Sequence, residues 1–383
     1  MRQPTDDAGG RASTPHRTLP GPDLTHLARL TDGTGLLQHA RFGVADRRHG
    51  YCLDDNARAL WLMARLAGPG ADPRVGNLAV TYAAFVDHAW NRSALHGRGR
   101  FENFMGYDRH WLPDGSSGED EDAQARGILA LAHAFALRLP TSLREWAGSL
   151  LVEALRPPSL PLSLGSPRAW AAALVACAVV RDGACRADDN RALTRLRDEA
   201  LGHADAVARD LTARLLDRYR AAARADWPWF EDALAYDNAR LCEGALAGEA
   251  WEPRLREVGI ASLRWLCGVQ TDGAGRFRPF GNHGFGVPGA TDAAHDQQPI
   301  EAWASVDACR LAYRITGEQG WLDHAAAAAA WFAGANETEL PLIDANGGSA
   351  DGIGPHGINR NRGAESTLAW LHVSAAQVRW RRG

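Results

Sequence analysis

Lysine is absent from this 383-residue chain: all 42 basic residues are arginine, set against 46 acidic residues for a formal charge of -4. The absence excludes a P-loop lysine, a pyridoxal Schiff base and a serine–lysine nucleophile pair. A nucleic-acid binder needs a concentrated positive field, and neither the charge balance nor any arginine-rich run supplies one. No apolar stretch approaches the roughly 18–20 residues of a membrane span. Met1 to Pro20 is polar and carries no signal-peptide core, so a cytoplasmic location is expected.

Cysteine is sparse, at Cys52, Cys177, Cys185, Cys242, Cys267 and Cys309. No two form a CxxC pair, and most fall in apolar helical stretches, which reads as reduced core thiols. HExxH, GxSxG and an EF-hand loop are all missing. Gly273, Gly275 and Gly281 follow no apolar strand and make no dinucleotide fingerprint. No organic cofactor is expected. His39, His49 and His283 are not spaced as a metal motif, so no metal site is expected either.

What is present is helix after helix. Residues 1–22, rich in Pro, Gly, Asp and Thr, cannot bury enough to offset their ordering entropy and are expected to be a disordered tail. From Asp23 to the C-terminus no low-complexity linker interrupts the chain, which predicts one domain. Six strongly apolar helices are predicted to start near Asp54, Asp122, Arg168, Tyr236, Glu301 and Ala364, about 45–70 residues apart. More amphipathic partners lie between them, at roughly 73–90, 142–155, 190–220, 254–268 and 318–334; the segment Asp23–Leu30 is left to partner the last. The motif Asp54-Asp55-Asn56-Ala57-Arg58 recurs as Tyr236-Asp237-Asn238-Ala239-Arg240, the mark of a repeated unit. Each unit is a hairpin whose inner helix is too apolar to face water. Closing six hairpins into a ring buries all the inner helices at once, so the predicted fold is all-α, an (α/α)6 toroid. An open solenoid would need polar capping repeats, and the last helix is apolar.

In such a ring the inner-helix N-termini and the loops before them gather at one mouth. The five loops read HARFGVADRRHGYCLDDNARAL, RFENFMGYDRHWLPDGSSGEDEDAQAR, DWPWFEDALAYDNAR, FRPFGNHGFG with HDQQPIEAW, and GINRNRGAESTLAW. A solvated surface would be poor in Trp, Phe and His, and a core would lack this many ionisable groups. A cleft for a polyhydroxyl ligand needs both, because amides and carboxylates bond hydroxyls while aromatic rings cover sugar faces. Each acid taken singly can also be a helix cap. The candidate substrate-binding residues are His49, Tyr51, Asp54, Arg58, Glu102, Asp108, Trp111, Trp229, Arg240, His283, Gln297, Gln298, Asn359 and Glu365.

Paired carboxylates at the mouth suggest glycosidic chemistry, one acid protonating the leaving oxygen and the other activating water. Glu231 follows Trp227, Pro228, Trp229 and Phe230, an aromatic wall expected to raise its pKa and make it the acid. Asp55 is the leading base, with Asp237, its repeat equivalent, and Glu301 as further catalytic candidates. Arg58 and Arg240 lie three residues after Asp55 and Asp237, on the same helix face. They are read either as structural ion pairs or as contacts to an anionic group such as phosphate or a uronate carboxylate.

At LLQHARFGVADRRHGYCLDDNARAL, RFENFMGYDRHW, WPWFEDALAYDNARL, HDQQPIEAW and INRNRGAESTLAW the sequence resembles a bacterial family of six-hairpin, glycosidase-like proteins found fused to or encoded beside glycosyltransferases. The resemblance runs from about Asp23 to the C-terminus and implies an (α/α)6 toroid with a carbohydrate-linked role. It departs from the family pattern at Gln124, where relatives resemble Glu-Asp-x-His-x-Arg. The leading expectation is an inverting glycoside hydrolase or phosphorylase acting on an oligosaccharide or glycan. A non-catalytic glycan-binding partner of a glycosyltransferase is the alternative, and a sugar epimerase using His49 and His283 the third.

Overall fold

The computed structural model describes residues 19–92, 99–113, 119–184 and 190–380. Twelve α-helices lie among the described residues. They are α1 Thr25–Leu30, α2 Leu53–Leu66, α3 Arg74–Ala89, α4 Glu119–Ala136, α5 Thr141–Leu155, α6 Pro167–Ala184, α7 Arg191–Ala222, α8 Ala239–Gly248, α9 Arg254–Val269, α10 Pro299–Thr316, α11 Gln319–Phe332 and α12 Ala364–Trp380. The even-numbered helices make a closed ring: α2 packs on α4, then α6, α8, α10 and α12 follow in turn, and α12 packs back on α2. Helices α3, α5, α7, α9 and α11 each cover the inner helix before them, and α1 covers α12. The predicted (α/α)6 toroid is therefore what forms, and the sixth hairpin is assembled from the two ends of the chain.

Local chemistry explains the elements. The Cys52 sulfur accepts from the Asp55 N–H and starts α2. Pro299 occupies the first turn of α10, where its fixed φ suits a helix, and Gly317 ends that helix at a left-handed φ of 73°. The Asn190 side chain accepts from the amides of Ala192 and Leu193 to cap α7. That long outer helix buries Leu193, Ala200, Ala204, Val207, Leu211 and Leu215, one stripe at helical spacing. By contrast α2 buries every residue from Asp55 to Ala64, as an inner helix must. Each fully buried leucine, such as Leu60 or Leu131, contributes about 1.5–3 kcal/mol by leaving water. The ring is tight enough that a Cβ on Gly244 of α8 would lie 2.4 Å from the Ala171 Cβ of α6.

Short strand pairs lace the loops at the mouth. Tyr51–Cys52 pairs with Phe104–Met105, joining the loop before α2 to the loop before α4, and Gly352–Gly354 pairs with Gly357–Asn359 ahead of α12. Two residues of the expected tail pack on the fold: Leu19 is buried, and the Pro20 carbonyl accepts from the Ser374 hydroxyl of α12. The rest of that tail, residues 1–18, and Cys185 lie outside the described residues. No helix among the described residues is long and apolar enough to cross a membrane.

Candidate functional site

The repeated motif opens α2 and α8, which sit opposite each other in the six-membered ring. Its asparagine ties down the preceding loop at both places. Asn56 Nδ2 donates to the Cys52 carbonyl at 2.8 Å, and its Oδ1 accepts from the Leu36 amide at 2.9 Å. Asn238 Oδ1 accepts from the Ala235 amide at 2.9 Å, and its Nδ2 donates to Glu301 Oε2 at 3.1 Å. The arginines also correspond: Arg58 pairs with Asp55 at 3.1 Å and Arg240 with Asp237 at 3.6 Å. Both arginines therefore make the structural ion pairs that one of the two sequence readings expects.

Between the two motifs runs a buried network of arginines and carboxylates. Arg58 reaches Asp54 at 3.3 Å and Glu365 at 2.9 Å. It also donates to the Tyr236 hydroxyl, which in turn donates to Glu365 at 2.7 Å. Arg126 of α4 bridges Asp54 at 2.7 Å and Asp237 at 3.4 Å, and its guanidinium lies 5.2 Å above the Tyr236 ring. Arg168 of α6 donates to the Tyr236 carbonyl and to Glu231 at 2.7 Å. Loops and helices from five of the six hairpins thus meet at one place.

At their centre is a narrow cavity of about 430 Å3 of empty space, counted out to its open mouth. Its floor is apolar: Trp61, Leu129, Ala172, Ile300 and Trp303. Its walls are Arg58, Asp122, Arg126, Arg168, Asp237 and Arg240. Four buried polar atoms of the lining have no hydrogen-bond partner among the described residues: Arg58 Nε, Trp61 Nε1, Arg168 Nη2 and Asp237 Oδ1. A buried donor and acceptor left unsatisfied are costly, and a bound ligand would satisfy them. Asp237 also adopts a left-handed backbone, φ 53°, a strained state for a non-glycine residue. A larger hollow, about 1330 Å3, opens at the other end of the ring between Arg65, Glu243, Trp251 and Asp307. None of its lining residues combines a partnerless buried carboxylate with backbone strain.

The carboxylates of the mouth are driven apart in proton affinity. Burial raises the Asp122 pKa, and the charge of Asp237 adds to the rise while Arg126 opposes it. Burial also disfavours ionised Asp237, but Arg240, Arg126 and Arg58 outweigh it and hold its pKa below the ordinary 3.8. Asp55 is pushed up to about 7, mainly by burial and against the pull of Arg58. Glu301 is pushed up to about 8, by burial and then by Asp237. An arrangement of this kind holds one carboxyl protonated and another ionised in the same small space, the condition for paired acid and base work.

Of the residues singled out in the sequence, the structure gathers Asp54, Asp55, Arg58, Glu231, Asp237, Arg240 and Glu365 into this network. Glu301 lies just beneath it, fully buried, accepting from Asn238 and from Gln270 Nε2 at 3.4 Å. The others are placed elsewhere. Trp229 is fully buried against Trp265 and Phe230, so it serves the core and cannot meet a substrate. The aromatic wall expected beside the Glu231 carboxylate points into that same core, and Arg168 faces the carboxylate instead. Gln297 is buried, accepting from Trp331 Nε1 and donating to the Ala294 carbonyl. Tyr51 donates from within the fold to Asp32 at 2.7 Å. Glu102 accepts from Asn91, Trp111 packs on Phe85 and His88, and Asp108 pairs with His110 on the surface. His49 is exposed and meets His39 edge to face, and His283 and Asn359 are exposed as well. Gln298 is half-buried and does not line the cavity. Gln124, the departure from the family pattern, spends its amide on the Phe101 backbone and is fully buried.

Sequence reasoning did not single out Arg126, Tyr236 and Arg168 and gave Asp122 no chemical role. A signal existed for two of them. Asp122 and Arg126 have the four-residue spacing of Asp54 and Arg58 at the start of another inner helix, so the repeat has a third, degenerate copy.

No protein-family model matches the chain, and no curated protein matches it in sequence. Among solved structures it is similar to a cellobiose 2-epimerase of Bacillus thermoamylovorans, with a TM-score of 0.62 and 10% identity over 93% of this chain and 96% of that one. It is similar to a D-mannose isomerase, with a TM-score of 0.60 and 13% identity over 93% and 94%. It is also similar to a glycoside hydrolase family 76 α-mannanase of Bacteroides thetaiotaomicron, with a TM-score of 0.57 and 12% identity over 94% of each chain. The likeness is one of fold: the chain has the six-hairpin, glycosidase-like (α/α)6 architecture.

Proposed function

We propose that this chain is a carbohydrate-active enzyme that cleaves a glycosidic bond of an oligosaccharide or glycan with inversion. Asp122 is the acid that protonates the leaving oxygen, and Asp237 is the base that takes a proton from the attacking water. The observation that carries the reading is the pairing of these two carboxylates, one raised and one lowered in pKa, on a cavity whose lining leaves buried donors on Arg58, Trp61 and Arg168 and the Asp237 Oδ1 acceptor without partners. Trp61 and Trp303 close the apolar floor, and their ring faces are already stacked on His133 and His372. The spare Arg168 nitrogen is a donor for a substrate hydroxyl. Asp55, the leading base from the sequence, takes a positioning role behind Arg58, and Glu231 holds Arg168. Similarity in fold to an α-mannanase favours the same class.

The test is a panel of oligosaccharides incubated with the full chain, with and without phosphate, read by NMR for reducing ends, sugar phosphates and anomeric configuration. Asp122→Asn and Asp237→Asn should each lower kcat by about 10²–10⁴-fold while sugar affinity persists. Full turnover in both variants, or retention of configuration, rules the assignment out. The pH profile of kcat/KM has a sign: Asp237 must be ionised, so activity should persist below the usual carboxylate range, and Asp122 must be protonated, so activity should fall on the alkaline side.

A second reading is epimerisation or isomerisation, because the same pair can pass a proton at carbon and two of the similar structures are a cellobiose 2-epimerase and a D-mannose isomerase. New epimers without bond cleavage would select it. The expected histidine pair does not support it, since neither His49 nor His283 lines the cavity. Binding without any product would select the partner of a glycosyltransferase.

A further inference from the structure

We propose that Cys267, Cys309 and His324 form a site for a thiophilic divalent metal ion of the zinc class, away from the mouth of the toroid. The three residues come from three successive helices: the last turn of α9, the middle of α10 and the first half of α11. Their donor atoms all lie within 4.8 Å of one another. The two sulfurs are 3.9 Å apart. Two thiolates on a tetrahedral zinc, at about 2.3 Å each, stand roughly 3.8 Å from one another. A disulfide would need about 2.05 Å. His324 Nε2 is buried without a hydrogen-bond partner among the described residues, and the edge contact of its ring with Phe277, at 5.7 Å, fixes the ring in place.

Charge supports a divalent ion. Loading releases two thiol protons, and the two thiolates with a neutral imidazole leave a centre of zero net charge. That matters here because Cys309 is fully buried, where an uncompensated charge would be expensive. Cys267 and His324 are only partly buried, so the ion has a path in from the outer surface. Cys309 stands eight residues along α10 from Glu301, about 12 Å at the helical rise, so the site is separate from the cavity. Its ligands join the hairpin of α8 and α9 to that of α10 and α11, and the ion would brace them together.

The experiment takes reduced, chelator-treated full-length protein and titrates it with cobalt(II), then with zinc(II). One equivalent of cobalt should produce a thiolate-to-metal charge-transfer band, and one equivalent of zinc should bleach it and raise the Tm. Cys267→Ser and Cys309→Ser should each lose the band, and Cys177→Ser should keep it. His324→Gln, at a half-buried position where folding can be checked by circular dichroism, should weaken or shift the band. The absence of a thiolate band in the reduced full chain, or its survival in Cys309→Ser, overturns the proposal.

Discussion

Glu301 and Asp237 show how much a side chain's chemistry here depends on what closes around it. Both are acids at the start of an inner helix, where a partial positive charge favours ionisation. Glu301 is pushed nonetheless to about 8, since burial outweighs the bonds from Asn238, whereas three arginines hold Asp237 below 3.8. The Glu301 shift has a thermodynamic consequence. Its folded pKa exceeds the ordinary 4.5, so the native state binds the proton more tightly and its contribution to stability is lost as pH rises between 4.5 and about 8. Glu301→Gln should therefore flatten the fall in stability over that range, and unfolding midpoints in urea at pH 5 and pH 9 would show it. An unchanged slope would remove Glu301 from the account. The sequence places both acids at the mouth but leaves open which one is protonated, because beside the neighbouring Arg240 two of the deciding arginines, Arg126 and Arg58, sit on other helices.

Among the elements, the legible features were those carried by local pattern. The six inner helices and their outer partners fall where periodicity and composition put them, and Asn56 and Asn238 explain in hydrogen bonds why one short motif appears twice. What local pattern could not separate was core from cleft. Trp227, Pro228, Trp229 and Phe230 look the same in sequence whether they wall a carboxylate or pack an interior; contact with Trp265 and Tyr219 makes them interior. The contact of α6 with α8 is likewise invisible along the chain. Gly244→Val should destabilise the protein by about 1–3 kcal/mol through overpacking against Ala171, measurable by urea denaturation, and a neutral result would mean that α8 can move outwards.

The whole molecule is a ring, and a ring depends on its closure. Helix α1 contributes only Thr25–Leu30, yet Leu27 and Leu30 are fully buried and α1 is the outer partner of α12. Removing residues 1–30 should therefore lower the Tm of the entire domain and expose α12 to limited proteolysis. A truncated chain with an unchanged Tm would show that the inner ring holds without its last cover. The same closure places α2 and α8 face to face, so that Arg126 can bridge Asp54 and Asp237 across 183 positions of chain.

The helical periods, the caps and the twice-used motif were determined by the sequence alone, because each depends on residues a few positions apart. They were enough to specify hairpins, a toroid and a mouth lined with acids. The tertiary structure alone decided which acids share a cavity, which keeps its proton and which arginine is left with a spare nitrogen. Those properties depend on burial and on charges that arrive from other helices, and no local stretch of sequence contains them.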